Sequence, residues 1–141
     1  MRKTTVLLLG WALVGSAWAQ VSQKNVQGNA TIDAFWERFR AAVTKNDKTV
    51  VASLSQFPIG MPYGISNIKN NAQLIRCYRE VFNGETNAVK CFRQARPKIN
   101  PDNPKEFTVA CKNAAGTEVV IYSFAFMRNG WKFNGLDNLN E

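Results

Sequence analysis

Near Gly84 the spacing of the large apolar residues changes, and that change restricts what the chain can fold into. Ahead of it they recur at steps of three and four, at Ile32, Phe35, Trp36, Phe39 and Val43, and again at Leu74, Ile75, Tyr78, Val81 and Phe82. That is the rhythm of helices with one apolar face. Beyond it they alternate, as Phe107, Val109 and Cys111 and then Val120, Tyr122, Phe124 and Phe126, which is the rhythm of strands. Helices grouped ahead of strands bury both apolar sets by lying on one face of a sheet. The expectation is an α+β domain, with N-terminal helices packed on a curved antiparallel sheet of three to five strands.

The first helix is expected to start near Thr31, with residues 20–30, which are polar and weakly patterned, forming a mobile leader. Asp47 can cap a second, short helix through Val50, Val51 and Leu54. Two prolines and two glycines between Pro58 and Gly64 predict an irregular crossing. Asn70 or Asn71 caps a third helix that Asn83-Gly84 stops. Residues 88–93 read as a short strand, Pro97 to Pro104 as a long turn, 106–112 and 119–127 as strands, the second of them central. Asn129-Gly130 predicts a tight hairpin into Trp131 to Gly135.

This element order, with the apolar helices Ile32 to Val43 and Leu74 to Phe82, resembles the nuclear transport factor 2-like (cystatin-like) superfamily over residues 31–137. The stretch Phe35 to Val43, the Gln56-Phe57-Pro58 step and the ending Asn129 to Phe133 also look like small exported bacterial proteins. The resemblance implies a cone-like fold and a periplasmic setting. It brings no catalytic motif with it.

The N-terminus has the order of a secretory signal: Arg2 and Lys3, an apolar run from Val6 to Val14, then Ala17-Trp18-Ala19 as a small-x-small cleavage site. A retained membrane anchor needs about 20 apolar residues, and Gly10, Gly15 and Ser16 interrupt this run. Residues 1–19 are therefore read as a signal peptide and 31–141 as a single domain, soluble after cleavage and periplasmic or secreted, as a monomer or homodimer. The whole chain carries a formal charge of +8, and cleavage would leave about +6. A basic surface suits anionic contacts, although it also serves solubility.

Three cysteines accompany that location. Cys91 and Cys111 fall in segments read as strands and are expected to form a disulfide, closing a loop of about 20 residues for about 3 kcal/mol. Cys77 is left over, in a helix between Arg76 and Arg79. It is a candidate nucleophile, but its place beside the apolar stripe points instead to a small packing residue.

The chain has no histidine. That removes the usual general base, the serine and cysteine pairs that depend on it, and most zinc chemistry, so neither metal nor cofactor is expected. Asp137, Tyr122 and Tyr78 remain as catalytic candidates: an aspartate after the last strand as base, with tyrosines on apolar faces as donors. Against them, Asp137 reads as a solvated turn residue and the tyrosines as core. For ligand binding the candidates are Tyr63, in the irregular crossing, and the run Lys90, Phe92, Arg93 and Arg96, where basic groups surround an aromatic. No nucleic-acid motif accompanies that run. The functional expectation is an exported, non-enzymatic protein binding an apolar or anionic small molecule or an envelope protein, by a cavity, the concave sheet face or the segment 57–66. The alternatives are a small isomerase or hydrolase using Asp137 and a tyrosine, and an immunity-type inhibitor of a toxin.

Overall fold

The structure is a computed structural model that describes residues 23–139, with side chains described from residue 31. The signal-peptide reading of residues 1–19 lies outside the described residues. Helix α1 runs Gln23–Thr44, so helical backbone extends back into the stretch read as a leader. Its inward stripe is the expected one: Ile32, Trp36, Phe39 and Val43 are buried, and Phe35 packs against the core from its margin. Helix α2, Lys48–Ser53, follows with Asp47 as its cap, the carboxylate accepting from the Val50 N–H at 3.1 Å.

The crossing after α2 is more regular than its composition suggests. Ser55–Gly60 forms β1 and Asn67–Ile68 forms β2. The Phe57–Pro58 peptide is cis, and pairing shifts register between Ser55 and Gly60. Proline cannot donate to a ladder, and the interrupted register is how the strand accommodates it. The expected third helix is two: α3, Asn71–Arg76, capped by Asn70 through a 2.9 Å bond from the Gln73 N–H, and α4, Tyr78–Asn83. The break at Cys77 leaves Leu74, Tyr78, Val81 and Phe82 buried but turns Ile75 outward, 37% exposed rather than part of the buried face. Gly84 ends α4 where a Cβ would meet the Glu80 carbonyl oxygen at 2.6 Å.

Residues 88–93 are the clearest correction. They form a helix, α5 (Ala88–Phe92), and not a strand. Over five residues both periods fit. The spacing that wins is Ala88 with Phe92, both fully buried one turn apart, while Asn87 caps the helix by accepting from the Lys90 N–H at 2.9 Å.

The sheet is completed by β3, Lys98–Ile99, β4, Glu106–Lys112, β5, Val119–Met127, and β6, Gly130–Asn138. Its order is β2-β1-β6-β5-β4-β3. It has six strands rather than three to five, and it is mixed, because β1 runs parallel to β6. As expected, β5 sits centrally, and the Asn129-Gly130 hairpin forms with Gly130 at φ +93°, a conformation that favours glycine. Opposite Ser123 and Phe124, β6 carries one extra residue between Phe133 and Gly135, a bulge of the kind that bends a sheet.

One aromatic cluster joins the layers. Phe39 lies 5.0 Å from Phe124, 5.5 Å from Phe133, 6.2 Å from Phe82 and 6.3 Å from Phe92, ring centre to ring centre. All five side chains are fully or almost fully buried. Helices α1, α4 and α5 thus meet β5 and β6 through phenylalanines, and those rings occupy the helix-facing side of the sheet. Among the described residues no helix is long and apolar enough to cross a membrane.

Candidate functional site

The residues proposed for acid–base chemistry are not brought together. Asp137 lies inside β6 rather than in a turn after it, and pairs with Ile121, while Tyr122 pairs with Leu136. Successive strand residues point to opposite faces. Tyr122 and Leu136 are accordingly buried on the helix-facing side, whereas Asp137 is exposed on the other side of the sheet.

The three tyrosines sit at the helix-facing end of the core. Tyr122 is fully buried, its hydroxyl 3.2 Å from Thr86 Oγ1 and donating to the Val81 carbonyl at 3.3 Å. The hydroxyls of Tyr63 and Tyr78 are buried with no hydrogen-bond partner among the described residues. Burial, with smaller contributions from Glu85 and Asp47 respectively, pushes the Tyr63 and Tyr78 phenols up to about 12. Burial pushes Tyr122 higher still, against the Thr86 hydrogen bond, and Tyr63 and Tyr78 add to the rise. At neutral pH all three are protonated donors and none is a base. The crossing that carries Tyr63 packs its own Phe57, Met61, Tyr63 and Ile65 against the core.

The basic run is divided by α5. Phe92, expected beside the ligand, is fully buried against Trp36 and Tyr122, with ring centres 4.9 and 5.0 Å away. It fixes the helix to the core instead. With Ala88 and Phe92 inward, Asn87, Lys90, Cys91 and Gln94 fall at steps of three and four on another face. They form one wall of a groove of about 570 Å³, whose other wall is Ala110, Lys112, Asn113 and Ala114 at the end of β4. Arg93 lies on the opposite flank, near Glu37 and Arg40, where the Arg40 guanidinium donates to the Arg93 carbonyl at 3.4 Å. Arg96 is exposed beyond the helix.

The two walls are covalently joined. The expected disulfide forms between Cys91 and Cys111, with Cα atoms 5.8 Å apart. Its partners are a helix and a strand, not two strands. Cys77 is the free cysteine, half-buried at the junction of α3 and α4. The groove carries Lys90 and Lys112, both exposed, and among the described residues no acidic one lines it. Lys112 is the residue that sequence reasoning did not single out. Its signal was indirect: it follows Cys111, whose disulfide to Cys91 joins its strand to the helix that carries Lys90. Among the described residues no group of three cysteine, aspartate or glutamate side chains is placed to hold a metal ion.

No protein-family model matches the chain, and no curated protein matches it. Among solved structures it is similar to an NTF2-like protein with a cystatin-like fold from Novosphingobium aromaticivorans, at 12% identity over 82% of each chain with a TM-score of 0.47. A domain of unknown function with a cystatin-like fold from Nostoc punctiforme PCC 73102 is similar at 14% identity, over 82% of this chain and 78% of that one, with a TM-score of 0.49. A hexachlorocyclohexane dehydrochlorinase from Novosphingobium barchaimii LL02 is similar at 14% identity, over 81% and 86%, with a TM-score of 0.46. At these identities the likeness concerns the fold and transfers no activity.

Proposed function

We propose that this chain is an exported binding protein without catalytic activity, and that it recognises an anionic ligand in the groove between α5 and β4. The observation that carries this reading is that Lys90 and Lys112 both line one groove, on walls joined by the Cys91–Cys111 disulfide, with no acidic side chain lining it among the described residues. Walls joined by a disulfide hold the backbone positions that carry both lysines in a fixed relation, which lowers the ordering cost of binding. The signal-like residues 1–19 and the disulfide are consistent with one oxidising destination. The concave sheet face offers less for a guest, because the chain's own phenylalanines lie on it.

The test is calorimetric titration of the purified protein with citrate and sulfate, alongside the double variant Lys90→Gln/Lys112→Gln. Binding that weakens at least tenfold in the variant supports the reading. Equal affinity in both proteins, or binding in neither, rejects it. Export is tested separately, by fusing residues 1–19 to a reporter active only outside the cytosol.

A further inference from the structure

The groove runs along a strand edge that the sheet leaves open. In the β3–β4 ladder Lys98 pairs with Thr108 and Ile99 with Phe107, and the Asn100 N–H donates to the Glu106 carbonyl at 3.0 Å. Glu106 and Thr108 therefore turn their backbone groups toward β3. Because these directions alternate along a strand, Ala110 and Lys112 turn theirs the same way. The odd-numbered residues face β5: the Phe126 N–H donates to the Lys105 carbonyl at 2.8 Å, and the Asn113 N–H to the Glu118 carbonyl at 3.0 Å.

Yet β3 stops at Lys98, and the residue before it is Pro97, which has no N–H to extend the ladder. Past that point the chain leaves the sheet for α5. Among the described residues, Ala110 and Lys112 thus face the groove with no strand residue opposite them. The Ala110 carbonyl lies 3.6 Å from Cys91 Sγ, which is a contact and no hydrogen bond, since a disulfide sulfur carries no proton.

We infer that the occupant of this groove is an acidic, extended peptide segment of a partner protein, which pairs with β4 at Ala110 and Lys112 as an added strand and sets its carboxylates against Lys90 and Lys112. This rests on the proposed binding function and names the ligand class for the same site. An unpaired strand edge supplies the hydrogen bonds that peptide backbones share, while flanking pockets and charges supply the choice of side chain. About three or four extended residues, at roughly 3.3 Å each, would span the free length of β4. The charge also selects the partner. A second copy of this chain would bring its own net positive charge to a groove that holds two lysines and, among the described residues, no acid, so like-charge repulsion opposes edge-to-edge pairing of identical chains.

The experiment uses a blocked hexapeptide of alternating glutamate and valine, titrated calorimetrically into the purified protein. Two further versions carry backbone N-methyl groups at the odd or at the even positions, and a lysine–valine peptide serves as the charge control. One methylated version loses at least tenfold in affinity while the other, whose methyl groups face away from β4, keeps it. Lys90→Gln and Lys112→Gln each weaken the parent peptide, and the lysine–valine peptide does not bind. If both methylated peptides bind as well as the parent while citrate still responds to the lysine substitutions, the groove holds anions without strand pairing, so this inference fails and the proposed function survives. If neither the acidic peptide nor citrate responds to those substitutions, both fail.

Discussion

Tyr78 and Tyr122 carry the same hydroxyl into the same core and differ in what it meets. Tyr122 is tied to Thr86 and to the Val81 carbonyl, so Tyr122→Phe removes two contacts and leaves two buried oxygens short of a partner. A loss of about 1–2 kcal/mol in unfolding free energy is expected by urea denaturation. Tyr78 has no such partner among the described residues. Tyr78→Phe removes a polar atom that burial disfavours and keeps the ring that packs 4.7 Å from Phe82, so it should be neutral or slightly stabilising in the same assay. A Tyr78→Phe variant as damaged as Tyr122→Phe would mean that its hydroxyl is bonded after all. From sequence, Tyr122 and Tyr78 were equal members of an apolar stripe. Which one finds an acceptor depends on Thr86, which lies beyond the end of α4 and has no periodic signal of its own.

At the scale of elements, α5 depends most on long-range bonding. Five residues make a poor helix by themselves, and this one is held by the Asn87 cap, by the burial of Ala88 and Phe92, and by the disulfide to β4. The double variant Cys91→Ala/Cys111→Ala should lose about 3 kcal/mol in urea denaturation, because the unfolded chain regains the freedom of a closed loop. A loss under about 1 kcal/mol would show that packing alone sets the position of α5. The same element marks where sequence reading stops. Long patterns such as α1, β4 and the β5–β6 hairpin repeat their period often enough to be unambiguous: β4 and β5 formed at the expected residues, while α1 begins earlier, at Gln23, and β6 runs on to Asn138. In 88–93 a helical and an alternating pattern each fit once or twice, and the deciding contacts come from Trp36 and Tyr122, distant in sequence. β1 was hidden for a related reason: Pro58 and Gly60 argue against a strand, and the neighbours β6 and β2 make one of it. The groove was half legible. Lys90 stood out within a basic run, whereas Lys112 gains its importance from the cross-link beside it.

For the whole molecule, the protonated tyrosines set an alkaline limit. An unfolded tyrosine releases its proton near 10, while Tyr63 and Tyr78 in the folded chain hold theirs to about 12. Between those values the unfolded state binds fewer protons, so unfolding becomes easier as pH rises. The contribution of these residues is fully present below about 10 and is lost as pH climbs through 12. The midpoint of urea denaturation should fall steadily over that window, with tyrosinate absorbance appearing together with loss of structure. Early appearance of tyrosinate in a chain that stays folded would mean that the phenols are open to solvent.

The cross-link between α5 and β4 also makes this corner sensitive to redox conditions. Among thiol reductants strong enough to open it, α5 would be held against β4 by the packing of Ala88 and Phe92 alone. Oxidation therefore sets how firmly the two sides of the groove are joined.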